Sequence, residues 1–302
     1  MDRFTKAQKA AEVFANNLDK RGIISIVRIG SSLRREDFCS GSDIDFLIIQ
    51  QKSPKHFLEN DSQDGFEIHM VRRGKKAFLD SLDKGVPLDL VAMQYGVIVY
   101  DKNRFFLKAK RKNHPPTKTT IEQWMHTAAF HLGDAAMTYS WPIDLYDYFK
   151  HLHHSARESC RAIIAKEQKR VVEGDLQVLD ALKEHHLKVY GNYRKIVLAR
   201  KRWESFSAKD VNSLIIKDRG RGKYLLLTLE CVAESWRICK GARMPPINSL
   251  IGKIAGKYPV KEFNMFQIYP KECKLLLFFK AKGGGVRIFS YDCKTDILKE
   301  QG

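Results

Sequence analysis

A chain of 302 residues is longer than one small core requires and predicts two domains with room for an appendage. Its 44% hydrophobic and 29% charged residues exclude a disordered or fibrous chain, and no run approaches the ~18 apolar residues of a membrane span. The excess of 53 Lys+Arg over 35 Asp+Glu, a formal net charge of +18, selects polyanionic partners: nucleic acid, nucleotides or an acidic protein surface.

The opening MDRFTKAQKAAEVF carries charges and alanines but no continuous apolar stretch, so no secretory signal is read and a cytoplasmic protein is expected. Phe4, Ala11, Phe14, Ala15 and Leu18 recur at helical spacing, and Arg21-Gly22 ends that helix. Ile23 to Ile29 predicts a buried strand, broken by Gly30-Ser31-Ser32. Asp45 to Ile49 predicts a second strand and Gly65 to Val71 a third with alternating faces. Lys75 to Leu82 reads as a helix. Pro87 suits the first turn of another, which Gly96 closes before the strand Val97 to Tyr100.

Residues 1–107 therefore form one α/β unit, and the basic, proline-bearing stretch 108–120 reads as a linker. From Ile121 to about residue 242 the apolar pattern is helical. Trp124, Ala128, Leu132 and Ala135 form one stripe, and Tyr148, Leu152, Ala156 and Cys160 another, as an antiparallel bundle requires. Beyond Pro245-Pro246, an extension over 243–302 carries two strand-like runs around Lys282-Gly283-Gly284-Gly285, a hairpin signal. The six cysteines form no CxxC pair, which argues against a zinc ribbon and against a disulfide framework.

The chemistry concentrates between Ile29 and Asp45. Asp43 and Asp45, one residue apart at the entry to a strand, point to the same face. Two like charges so placed are unfavourable unless a cation sits between them, and hard divalent ions take oxygen ligands while leaving positions for phosphate oxygens. Upstream, Gly30 and Ser31 are expected to close a strand and open a helix whose N–H groups hold phosphates. A phosphate cradle beside a metal-binding carboxylate pair is what in-line nucleotidyl transfer requires.

The pattern Gly-Ser, a short loop, then Asp-x-Asp resembles the signature of the DNA polymerase β-type nucleotidyltransferases, which include CCA-adding enzymes, poly(A) polymerases and minimal nucleotidyltransferases. Gly30, Ser31, Arg34, Ser42, Asp43, Ile44 and Asp45 match it, while Leu33 stands where alanine is usual and Arg35 where glycine is usual. The resemblance covers roughly the first hundred residues. It implies a nucleotidyltransferase domain with a mixed sheet (α/β, or α+β), followed here by an all-α bundle and a small C-terminal hairpin. It also implies two Mg²⁺ ions, an NTP substrate such as ATP, nucleotide contacts from Gly30, Ser31, Arg34 and Ser42, and metal ligation by Asp43 and Asp45.

The family adds a third carboxylate from a neighbouring strand. Glu67, on the strand face shared with His69, and Asp89, in a first helical turn, are the candidates, with Glu67 preferred because the helix dipole already accounts for Asp89.

His151, His153 and His154 read as a helix-surface cluster, since no carboxylate or cysteine joins them at ligand spacing. Basic stretches at Lys108 to Lys112, Arg194-Lys195, Arg200 to Arg202 and Lys217 to Lys223, beside Tyr193, Trp203 and Tyr224, suggest an RNA or DNA track with aromatics for base stacking. The expected activity is transfer from NTP to an RNA acceptor, plausibly a tRNA 3′ end. The rivals are an AMP-transferring enzyme that modifies a protein hydroxyl and a non-catalytic nucleic-acid-binding module.

Overall fold

The computed structural model describes residues 1–39, 42–140, 145–204 and 221–301. The chain divides into two compact units: Met1–Thr120 with Lys169–Gln177, and Ile121–Gln168 with Val178–Gly302.

The first unit holds α1 (Arg3–Asn17), β1 (Ile23–Ile29), β2 (Ile44–Gln50), β3 (Leu58–Gln63), β4 (Phe66–Gly74), α2 (Lys75–Lys84), α3 (Pro87–Tyr95), β5 (Val97–Asp101) and α4 (Phe105–Lys110). Its five strands run in the order β3-β4-β2-β1-β5. β2 and β4 are parallel and the other neighbours antiparallel, so the sheet is mixed. Helix α1 starts where the Asp2 carboxylate accepts the Thr5 N–H at 3.0 Å, an N-cap that satisfies an otherwise orphan donor. Its buried Ala7, Ala10, Ala11, Phe14 and Ala15 pack on Ile44, Phe46, Ile48, Ile68 and Met70. Small residues on the helix let it lie close to the branched residues of the strands. Strand alternation then sends Asp43, Asp45, Glu67 and His69 to the opposite face.

On that face Arg73, near the end of β4, reaches Asp89 of α3. Helix α2 stops at Gly85, which sits at φ +77, and a side-chain carbon there would also collide with Thr117 and Thr120. Thr117 Oγ1 donates to the Lys84 carbonyl at 2.7 Å and Thr120 Oγ1 to that of Gly85 at 2.5 Å. The end of the stretch expected as a linker is thus fastened to α2, and its beginning lies in α4. Strand β3 was not anticipated, because Leu58 to Gln63 is polar and mostly exposed. It pairs with β4 around Asp64-Gly65, both at positive φ, the geometry that two-residue hairpins favour.

The second unit holds most of α5 (Lys118–Ser140), α6 (Leu145–Gln168), the end of α7 (Asp175–Lys183), α8 (Leu187–Glu204), α9 (Arg221–Lys240) and α10 (Ile247–Lys257). β6 (Val260–Tyr269), β7 (Lys274–Ala281), β8 (Val286–Asp292) and β9 (Ile297–Gln301) follow as an antiparallel sheet in sequential order. The hairpin expected from the glycine run is β7–β8, with β6 and β9 added at its flanks. The bundle buries Leu132, Leu152, Cys160, Ile163, Tyr193, Ile196 and Trp236. Glu158 is also buried. Burial raises its pKa, but Arg161 and Arg157 more than offset that and hold it below the ordinary carboxylate value. No helix among the described residues is long and apolar enough to cross a membrane.

Two aromatics expected to offer faces to bases are engaged in the bundle. Tyr193 is fully buried and stacks on His153, and Tyr224 packs edge-on against Phe149. The side chains of Arg202, Trp203 and Arg221, and all of residues 217–220, lie outside the described residues.

Candidate metal and phosphate site

Strand β1 ends at Ile29, and Gly30 follows at φ +82. A side-chain carbon at Gly30 would run into the Asp45 carboxylate, so glycine is required both by the backbone and by the close approach of Asp45. Next comes a single 3-10 turn, Ser31–Leu33, closed by the Leu33 N–H to Gly30 carbonyl and the Arg34 N–H to Ser31 carbonyl bonds. The helix expected there is only this turn. Arg34 already has extended backbone, and its side chain is taken by Asp37 and Glu173, so the chain turns away rather than winding on.

Glu173 is 5% exposed and belongs to the segment 169–177 that returns to the first unit. Its Oε1 accepts the Gly30 N–H at 3.0 Å, and its Oε2 pairs with the Arg34 guanidinium. The segment is fastened further by Tyr95 Oη donating to the Val171 carbonyl at 3.0 Å and by the Asp175 N–H reaching Asp37 Oδ1 at 3.3 Å. Gly174 lies so close to Asp37 and Arg34 that a side-chain carbon would collide with both. Nothing local in the sequence marks Glu173, since its partners lie some 140 residues upstream.

Asp45 lies opposite His69 in the β2–β4 register. His69 Nδ1 stands 2.9 Å from Asp43 Oδ2 and 3.8 Å from Asp45 Oδ1, and the three side chains offer ligand atoms within 4.8 Å of one another. Burial pushes the Asp45 pKa up to about 7, assisted by the negative charges of Asp43 and Glu173. Glu67 Oε2 lies 3.7 Å from the other ring nitrogen of His69 and is 82% exposed. Together with Asn60, Asp61 and Ser62, these two residues line an open depression on the sheet.

The other predicted residues are placed as follows. Asp89 is fully buried, accepts from Ser81 Oγ at 2.5 Å and pairs with Arg73 at 3.3 Å, away from the Asp43–Asp45–His69 group. Burial raises its pKa and Arg73 opposes the shift. Ser42 is buried, and its hydroxyl accepts the Cys39 N–H at 2.9 Å. Ser31 is half-buried in the 3-10 turn. The structure thus brings together Asp43, Asp45 and Gly30, with Glu67 at the margin. It adds His69 and Glu173 as close neighbours.

A second histidine–carboxylate group lies in the helical unit. His131 and Asp134, one turn apart on α5, meet His151 of α6, again with ligand atoms within 4.8 Å of one another. The Nδ1 atoms of His131 and His151 are 3.0 Å apart, and His151 Nδ1 is 3.6 Å from Asp134 Oδ2. This corrects the expectation of a surface cluster over 151–154. His153 is buried and takes a hydrogen bond from Arg200 at 2.9 Å, while His151 gains its imidazole and carboxylate neighbours from another helix. Local spacing along α6 could not show partners that come from α5.

No family model matches the chain, and no curated protein matches it. Among solved structures, it is similar to a nucleotidyltransferase-like protein from Exiguobacterium sibiricum, at 12% identity and a TM-score of 0.36, over 95% of this chain and 99% of that one. At that level the functional reading rests on the site geometry.

Proposed function

We propose that this chain is a metal-dependent nucleotidyltransferase of the polymerase β type, moving a nucleoside monophosphate from an NTP onto a hydroxyl of an RNA acceptor, with a tRNA 3′ end as the expected substrate. The observation that carries the reading is the Asp43–Asp45 pair, set against the Gly30 turn at an exposed strand end. Burial, and then the charges of Asp43 and Glu173, raise the Asp45 pKa to about 7, which an added positive charge would offset.

The residues fit a divalent cation. Asp43 and Asp45 supply hard oxygen donors suited to Mg²⁺, and His69 adds a nitrogen that Mn²⁺ accepts more readily. When bound, such an ion neutralises the triphosphate and the leaving pyrophosphate. Glu67, exposed beside His69, is the proposed third carboxylate and the group that takes the proton of the attacking hydroxyl. Asp89 is the weaker alternative, because Arg73 and Ser81 already hold it.

The Gly30 N–H donates to the Glu173 carboxylate at 3.0 Å. A phosphate oxygen taking that amide therefore displaces Glu173 and frees the Nη1 end of Arg34 for the β- and γ-phosphates, while Asp37 still holds its Nε. Ser31 and Ser42 are proposed as further nucleotide contacts. The net charge of +18 favours a polyanionic acceptor over a polycationic one.

One observation favours a second reading. With Glu173 on the Gly30 amide and a histidine at the third corner, the domain could serve as a nucleic-acid-binding module that does not turn over. The test incubates the protein with Mg²⁺ or Mn²⁺, each α-labelled NTP, and total RNA, with an Asp43→Ala/Asp45→Ala variant alongside. Label entering RNA only with the intact pair establishes the transferase. Label entering protein moves the acceptor to a protein hydroxyl, and no metal-dependent label while RNA is still bound leaves the binding module.

A further inference from the structure

We propose that His131 Nδ1, His151 Nδ1 and Asp134 Oδ2 form a binding site for one divalent cation of the zinc class, tying α5 to α6 inside the helical unit. The inference is independent of the activity proposed above and shares no residue with it.

Two imidazole nitrogens and a carboxylate oxygen are the donor set of three-ligand zinc sites, which leave a fourth position for water. The spacing suits a common ion: donors each about 2.0–2.1 Å from one tetrahedral centre stand roughly 3.3 Å apart. Here the two nitrogens are 3.0 Å apart, the oxygen is 3.6 Å from that of His151, and all three atoms lie within 4.8 Å of one another. Without an ion the pair is a hydrogen bond in which one ring donates from Nδ1 and the other accepts. With an ion between them both rings carry their proton on Nε2 and both lone pairs are used.

The sequence arrangement supports the same reading. His131-x-x-Asp134 presents two ligands on one helical face, one turn apart, and a facing helix brings the third, as metal sites between bundle helices do.

The surroundings select the kind of ion. Around His131 the positive Arg157 and Lys150 are offset in part by the negative Glu158. Long-range attraction therefore contributes little, and affinity has to come from direct bonds to nitrogen. That favours zinc-class ions over Mg²⁺ or Ca²⁺, which seek carboxylate oxygen.

The test uses the full, tag-free chain stripped of metal, with ZnCl₂ and CoCl₂ as probes. Zn²⁺ affinity is read by competition with a chromophoric chelator, and Co²⁺ by its visible d–d absorption. The expected result is one Zn²⁺ per chain in an Asp43→Asn/Asp45→Asn variant, a Co²⁺ spectrum of low coordination number, and a rise in Tm with Zn²⁺. His151→Gln weakens Zn²⁺ by roughly tenfold or more and removes the Co²⁺ band. Asp134→Asn, nearly isosteric, weakens it in the same direction and serves if His151→Gln does not fold. Asp43→Asn/Asp45→Asn leaves the band intact. The proposal is overturned if the wild type shows no such band, if the band survives both His151→Gln and Asp134→Asn, or if only the Asp43→Asn/Asp45→Asn variant abolishes it.

Discussion

The two histidine–carboxylate groups use the same kinds of ligand atom in opposite proportion. In the first unit two carboxylates meet one imidazole at the open ends of β2 and β4, whereas in the helical unit two imidazoles meet one carboxylate between α5 and α6. The backbone dictates how each forms. Strand residues two apart share a face, so Asp-x-Asp alone pairs Asp43 with Asp45. Helix residues three apart share a face but offer only two ligands, so the third has to arrive through tertiary packing. The oxygen-rich group suits hard cations and phosphate chemistry, and the nitrogen-rich one suits borderline ions.

The comparison breaks first, and with the largest effect, through activity. Asp43→Ala/Asp45→Ala should lower metal-dependent label transfer by about 10³-fold, while His151→Gln should leave it within about twofold. Equal losses in both variants would show that one group, or the fold itself, serves both functions.

Asp89→Asn comes next. It removes one partner of the buried contact with Arg73 and should cost about 3–5 kcal/mol in urea unfolding, with the metal affinity of the folded protein unchanged. A loss of metal affinity at full stability would restore Asp89 as the third carboxylate.

Gly30→Ala follows, at about 1–3 kcal/mol, because alanine is strained at φ +82 and its side chain meets Asp45. A Tm unchanged by this substitution would mean that the turn is not held as described.

The smallest effect separates the groups by the sign of their pH dependence in metal-free protein. The Asp45 pKa is raised from 3.8 to about 7, so between those values the folded state binds the extra proton and stability falls as pH rises. His131 is lowered from 6.5 to about 4, so the unfolded state binds the extra proton and stability falls as pH drops through that window. Asp45→Asn should therefore gain stability relative to wild type near pH 8, and His131→Gln near pH 5. Each gain is on the order of 1–2 kcal/mol after discounting for partial exposure. Matching slopes for the two variants would contradict this assignment of charge.

Much of the first unit is legible in the sequence. The alanine stripe of α1, the branched runs of β1 and β2, and Pro87 and Gly96 bounding α3 each express a local preference that the fold kept. The elements not foreseen are polar or marginal at an edge. β3 has one neighbour and an exposed face, so no apolar alternation announces it, although Asp64-Gly65 was a usable hairpin signal. β9 is likewise an edge strand, short and mostly exposed, whose apolar Ile297 and Leu298 are adjacent and so show no alternation.

The sequence by itself determined the pairing of Asp43 with Asp45, because strand residues two apart share a face. Tertiary structure alone decided that Glu173 occupies the Gly30 amide, that His69 stands at the third corner, that Arg73 holds Asp89, and that His131 and Asp134 meet His151. These are contacts between elements distant in the chain. Their positions follow from which faces the core buries, and no local spacing encodes that.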